Sequence, residues 1–117
     1  MFYSVIEEYS DIITTYSVSD FRKYGSATSL VAQVNLIDGS ELHIKDYLFL
    51  DGKRKYSYHW QDANGNLISR WDNSPHHQEI STFPHHRHLP DATIDSQQRN
   101  IRDIFKIITE IISKNEQ

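Results

Sequence analysis

Five of the seven histidines of this 117-residue chain fall between His76 and His88. They stand in two stretches, Asp72-Asn73-Ser74-Pro75-His76-His77 and Phe83-Pro84-His85-His86-Arg87-His88. Proline fixes its own φ and biases the residue before it toward extended backbone, so each His-His pair leaves from a stiffened chain. Imidazoles held in this way suit proton transfer at phosphorus. A neutral ring takes the proton of an RNA 2′-hydroxyl, an imidazolium protonates the leaving 5′-oxygen, and a basic side chain steadies the charge on the phosphorane. On that reading His76, His77, His85, His86 and His88 move protons, Arg70 and Arg87 meet the charge, and Asp72 orients one ring. Trp71, Phe83 and the tyrosines offer faces for bases to stack on.

The same residues fit a metal. Imidazole is a common zinc ligand, and His86 and His88, one residue apart, fall on one side of an extended segment, with Asp72 or His76 to complete a set of three or four. No named spacing such as His-Glu-x-x-His is present, so no metal or other cofactor is assigned from sequence. A third reading is plain: loop histidines that cap, bond carbonyls or line a partner interface. His43, alone on its strand, reads as structural, and Trp60, Trp71, Tyr56 and Tyr58 read as core. A serine nucleophile has no support, because Gly-x-Ser-x-Gly is absent.

The elements that must position these residues follow from periodicity. Phe2 to Ile13 carries Val5, Ile6, Tyr9, Ile12 and Ile13 at helical spacing. Thr14 to Tyr24 reads as extended, and two hairpins follow, turning at Asp38-Gly39-Ser40 and at Asn64-Gly65. A three-residue first turn sets Leu36 opposite Leu42 and Val34 opposite Ile44, leaving Gln33, Asn35, His43 and Lys45 on the reverse side. A two-residue second turn sets Tyr58 opposite Trp71 and Trp60 opposite Ser69. Its reverse side carries Lys55, Ser57 and His59 against Ile68, Arg70 and Asp72, with His59 facing Arg70 and Ser57 facing Asp72. The two polar faces are expected to join. Ile101, Ile104, Phe105, Ile108, Ile111 and Ile112 line one face of a C-terminal helix, with Asp95 or Ser96 as its N-cap. The expected class is α+β: an antiparallel sheet of four to five strands flanked by an N-terminal and a C-terminal helix, with the histidines in a loop between strands and helix.

Length and composition bound the rest. A chain of 117 residues with 38% hydrophobic and 24% charged content reads as one domain, 1–117, able to bury a core. With no cysteine, disulfides, thiolate metal sites and a cysteine nucleophile are excluded. The net charge of −4 is uneven, since residues 1 to 41 hold two Lys/Arg against six Asp/Glu and residues 42 to 88 hold six against five. Protonating all seven histidines would bring −4 to +3. No apolar run long enough to span a bilayer and no signal-like N-terminus is found, so a cytoplasmic chain with no membrane partner is expected.

One resemblance is carried by specific strings: Asp38-Gly39-Ser40-x-Leu42, Tyr56-Ser57-Tyr58-His59-Trp60-Gln61-Asp62, Leu67-Ile68-x-Arg70-Trp71-Asp72-Asn73-x-Pro75-His76-His77 and Thr82-Phe83-Pro84-His85-His86-Arg87-His88. Over residues 30 to 90 the chain resembles the small toxins of the TumE family. That resemblance implies a toxin of a toxin–antitoxin pair, neutralised by a small helix-turn-helix antitoxin, with RNA as the expected target. The sequence departs from the family pattern at Asp46, where members usually carry glutamate. Lys53-Arg54-Lys55, leading into the tyrosine strand, is a candidate phosphate contact, with Lys53, Lys55, His59 and Arg87 as substrate-binding candidates.

Overall fold

A computed structural model describes residues 1–115. The order is α1 (Phe2–Glu8), a 3-10 turn (Ser10–Ile12), β1 (Ile13–Tyr24), β2 (Ala27–Leu36), β3 (Glu41–Leu48), β4 (Arg54–Gln61), β5 (Leu67–Asp72), β6 (His86–Leu89), β7 (Ala92–Asp95) and α2 (Ile101–Asn115). The strands form one antiparallel sheet in chain order, β1 to β7. The α+β class with two flanking helices therefore holds, but seven strands stand where four or five were expected.

Strand alternation divides the sheet into two unlike faces. Val34, Leu36, Leu42, Ile44, Tyr56, Tyr58, Trp60 and Trp71 are buried on one face, together with Phe2, Val5 and Ile6 of α1 and Ile101, Ile104, Phe105, Ile108 and Ile112 of α2. Tyr9 stacks on Phe105 and ties the two helical ends together. Among the described residues the other face is polar and carries no helix.

The second hairpin has the expected register: Ser57↔Asp72, Tyr58↔Trp71, His59↔Arg70 and Trp60↔Ser69. Its turn differs. Asp62 N–H donates to Asn66 O, which encloses Ala63, Asn64 and Gly65, and an irregularity after Trp60 absorbs the extra residue. The first hairpin is shifted by two, with Val34↔Leu42 and Ala32↔Ile44. Leu36 N–H donates to Ser40 O, so the loop is Ile37-Asp38-Gly39, with Gly39 at φ 87°, the left-handed position that three-residue loops demand. A shift of two preserves the faces. It also draws Ser40 into the core, where its hydroxyl accepts the Trp60 indole N–H at 2.9 Å.

Two further expectations fail between β5 and α2. Residues 86 to 89 and 92 to 95 are not loop: His86-Arg87-His88-Leu89 pairs with β5 through Asp72↔His86, Trp71↔Arg87 and Arg70↔His88, then turns at Pro90-Asp91 into β7. Neither Asp95 nor Ser96 caps α2, since Asp95 ends β7. The cap is Asn100, whose side-chain oxygen accepts Asp103 N–H while the Asp103 carboxylate accepts Asn100 N–H, both at 3.0 Å. This reciprocal pair satisfies two helix-end donors at once.

Candidate active site on the polar sheet face

Pairing of β3, β4, β5 and β6 lines up His43, His59, Arg70 and His88 in one cross-strand row. Lys45, Ser57, Asp72 and His86 form the row beside it. The two polar faces thus join, as expected, and their end at β5 and β6 is where the ionisable groups crowd.

Asp72 is the centre of that end. It is 4% exposed, and its Oδ1 accepts Ser74 N–H at 3.0 Å and Ser74 Oγ–H at 2.7 Å. The His86 Nε2 lies 2.9 Å from Oδ1, the His88 Nε2 lies 3.3 Å from Oδ2, and Arg70 Nε donates to Oδ2 at 3.2 Å. Burial alone would raise this carboxyl; the Ser74 hydrogen bonds, the His86 charge and Arg70 outweigh it and hold Asp72 below the usual carboxylate range.

His86 is 1% exposed and held from both sides. Its Nδ1 lies 2.9 Å from the Pro84 carbonyl, which only accepts, so Nδ1 carries a proton and Nε2 faces Asp72. The His88 Nε2 stands 3.0 Å from the His86 Nε2, and the His88 Nδ1 lies 3.2 Å from Thr93 Oγ1. His88 keeps 28% of its side chain open to solvent. Its pKa is lowered, by burial first and by His86, His77 and Arg70 as well, against the opposing pull of Asp72. His77, from the loop after β5, closes the group with ring centroids 4.9 Å from His86 and 5.4 Å from His88, and its Nδ1 is 3.4 Å from Glu79 Oε1. A ring nitrogen from each of His77, His86 and His88 falls within 4.8 Å of the others.

The remaining candidates divide by face. His59 sits on the polar face, with Nδ1 3.5 Å from Arg70 Nη1 and Nε2 3.2 Å from Gln61 Oε1. Burial and then the Arg70 charge hold its pKa down. With His43, Lys45, Ser57, Gln61 and Arg70 it lines an open depression of about 270 Å³. Lys55 lies on the same face and Lys53 on the turn before it, both exposed. His76 is exposed and stands apart from the imidazole group.

His85 and Arg87 belong to the opposite side. The His85 Nδ1 lies 2.9 Å from the buried Tyr56 hydroxyl and its ring stacks on Tyr56. Arg87 donates to Ser69 Oγ at 2.7 Å and lies over the Trp71 ring. Arg54 is committed as well. It grips Asp46 with two hydrogen bonds of 2.9 and 2.8 Å and reaches Arg99 O at 2.7 Å. The Asp46 carboxylate, also the acceptor of Tyr58 O–H, is thereby an anchor beneath α2 on the helix side. Pro84 O, Thr93 and Glu79, which meet the imidazoles, and Ser74, which holds Asp72, are supports that the sequence alone does not single out. Two of them leave a trace there. Ser74 stands two residues after Asp72, the spacing of an Asx-turn, and Pro90-Asp91 between two short runs is a turn signal that would have placed Thr93 opposite His88.

Similarity to known proteins bears on the whole of this arrangement. No curated protein and no solved structure matches the chain. The family described as Toxin TumE matches residues 2–116, a span that takes in both helices, all seven strands and the histidine segment. Among the described residues no helix is long and apolar enough to cross a membrane, which says nothing of a β-barrel. Matched from end to end in this way, the chain belongs to the TumE toxin family.

Proposed function

We propose that this chain arrests growth by acting on RNA, with His88, His77, His86, Asp72 and Arg70 as its reacting and supporting groups. Membership of a toxin family implies an antitoxin partner; we assign a small helix-turn-helix protein to that role on the resemblance alone. The observation that carries the reading is the Asp72–His86–His88 contact set, two imidazoles against one buried carboxylate at 2.9 and 3.3 Å.

Each group has a part. His88, partly open and with a lowered pKa, is the base that takes the 2′-hydroxyl proton. His77 supplies the second imidazole, which gives a proton to the leaving 5′-oxygen. Arg70, 42% exposed at its side chain, meets the charge on the phosphorane. His86 and Asp72 are positioning residues, because neither is open to substrate. The strand lines the RNA backbone along the depression between Lys45, Ser57 and His59, with Lys55 and Lys53 at its far end. No metal takes part in this scheme. His85 and Arg87 hold the sheet from behind, and His76 is left as a peripheral contact.

The test is inducible expression in a bacterial host. Wild type arrests growth, and His88→Ala and Arg70→Met each relieve the arrest while keeping wild-type circular dichroism. Undiminished toxicity of folded His88→Ala would remove the catalytic assignment.

A further inference from the structure

The geometry points to a second use of the same imidazoles: a site for a divalent transition-metal ion of the zinc class, held by His77, His86 and His88, with the Asp72 carboxylate beside two of the three rings. Three observations meet here. A ring nitrogen of each histidine lies within 4.8 Å of the other two, so one ion can reach all three with small side-chain adjustments. The two best-placed nitrogens, Nε2 of His86 and Nε2 of His88, are 3.0 Å apart. Two ligands on one tetrahedral zinc, each bonded at about 2.0–2.1 Å, stand about 3.3 Å apart, so this pair needs to open only slightly.

The second observation is the other side of each ring. Metal-binding imidazoles almost always give their second nitrogen to a carbonyl, hydroxyl or carboxylate, which fixes tautomer and orientation. His86 Nδ1 meets Pro84 O at 2.9 Å, His88 Nδ1 meets Thr93 Oγ1 at 3.2 Å, and His77 Nδ1 meets Glu79 Oε1 at 3.4 Å. All three rings therefore have this outer support. The third observation is charge. Two Nε2 atoms and both oxygens of a buried carboxylate face one another within 3.3 Å, an arrangement that requires a cation among them, either a proton or a metal. The donor set, three imidazoles, suits zinc better than magnesium or calcium.

A bound ion would occupy the lone pairs that proton transfer needs, so the loaded and metal-free chains have different chemistry. The site does not depend on the RNA reading, and it is tested without RNA. Chelator-stripped protein is titrated with zinc chloride by calorimetry, and the loaded protein is examined by X-ray absorption. The expected result is one zinc per chain with histidine nitrogens in its shell. His77→Ala and His88→Ala each weaken binding by more than tenfold, and Thr93→Val weakens it by about tenfold. His76→Ala and His85→Ala leave it unchanged. Absence of stoichiometric binding, or equal affinity in a folded His77→Ala/His88→Ala variant, overturns the site. If the stripped chain acts on RNA only when zinc is restored, the metal site stands and the metal-free mechanism is the part that fails.

Discussion

Asp72 is the residue on which the others turn. It is the last residue of β5, it has hydrogen-bonding or charged partners on both oxygens, and it lies directly across from His86 in the pairing of β5 with β6. Removing one member of a buried ionic set leaves the other without compensation, at a cost of about 3–5 kcal/mol. Asp72→Ala is therefore expected to lower folding stability by about 3 kcal/mol in urea unfolding, and a loss below about 1 kcal/mol would show that the set is not coupled in this way. Much of this residue-level picture is legible in sequence. The i, i+2 spacing of His86 and His88 and the carboxylate before Asn-Ser-Pro are local signals. Which loop histidine joins them is not legible, because His76 and His77 are adjacent and only the turn from Ser74 decides that His77 faces inward. The supports contributed by Thr93 and Pro84 likewise depend on where the chain comes back.

Among the elements, β6 does most to build the candidate site, and the sequence alone reads it, like β7, as loop. His86-Arg87-His88-Leu89 lacks the β-branched and aromatic residues that mark strands. It becomes a strand because β5 offers an unpaired edge and because Arg87 has a core-side partner in Ser69, while His86 and His88 have one in Asp72 on the other face. The hairpin of β4 and β5 is legible, since alternation of tyrosine and tryptophan with polar residues fixes its faces whatever the turn length. Helix α2 is legible for the same kind of reason, through its isoleucine stripe. Its start is not, because Asp95, Ser96 and Asn100 are all capable caps and strand pairing of β7 removes the first. Ile104 and Ile108 are fully buried, so Ile104→Ala or Ile108→Ala is expected to cost about 2–5 kcal/mol by chemical denaturation. Asn100→Ala should cost about 1 kcal/mol by losing the cap. A negligible loss at both isoleucines would mean that α2 does not pack on the sheet as described.

At the scale of the whole molecule, one sheet separates two tasks. The helix side holds the apolar core together with the Arg54–Asp46–Tyr58 anchor, and the other side carries His59, Arg70, Asp72, His86 and His88. Charge makes that division sensitive to pH. His59 is held below its ordinary value by burial and then by Arg70, and His85 by burial and then by Arg54. A histidine with a lowered folded pKa binds its proton more weakly folded than unfolded. Its contribution to stability is thus complete above the unfolded value of about 6.5 and is lost as pH falls through the lower folded value. The melting temperature should fall between about pH 7.5 and about pH 5.5, and a His59→Gln/His85→Gln variant should show a shallower fall. Equal slopes would say that these two rings are not held as described.

Proton transfer to and from RNA by the imidazoles around Asp72 would be written in the ends of the cut RNA. The 2′-hydroxyl route leaves a 2′,3′-cyclic phosphate on one fragment and a 5′-hydroxyl on the other. RNA incubated with the chelator-stripped protein is predicted to carry those ends, and to remain uncut by His88→Ala. Intact RNA with the wild-type protein, or fragments ending in 3′-hydroxyl and 5′-phosphate, would show that these imidazoles do not cut RNA through its 2′-hydroxyl.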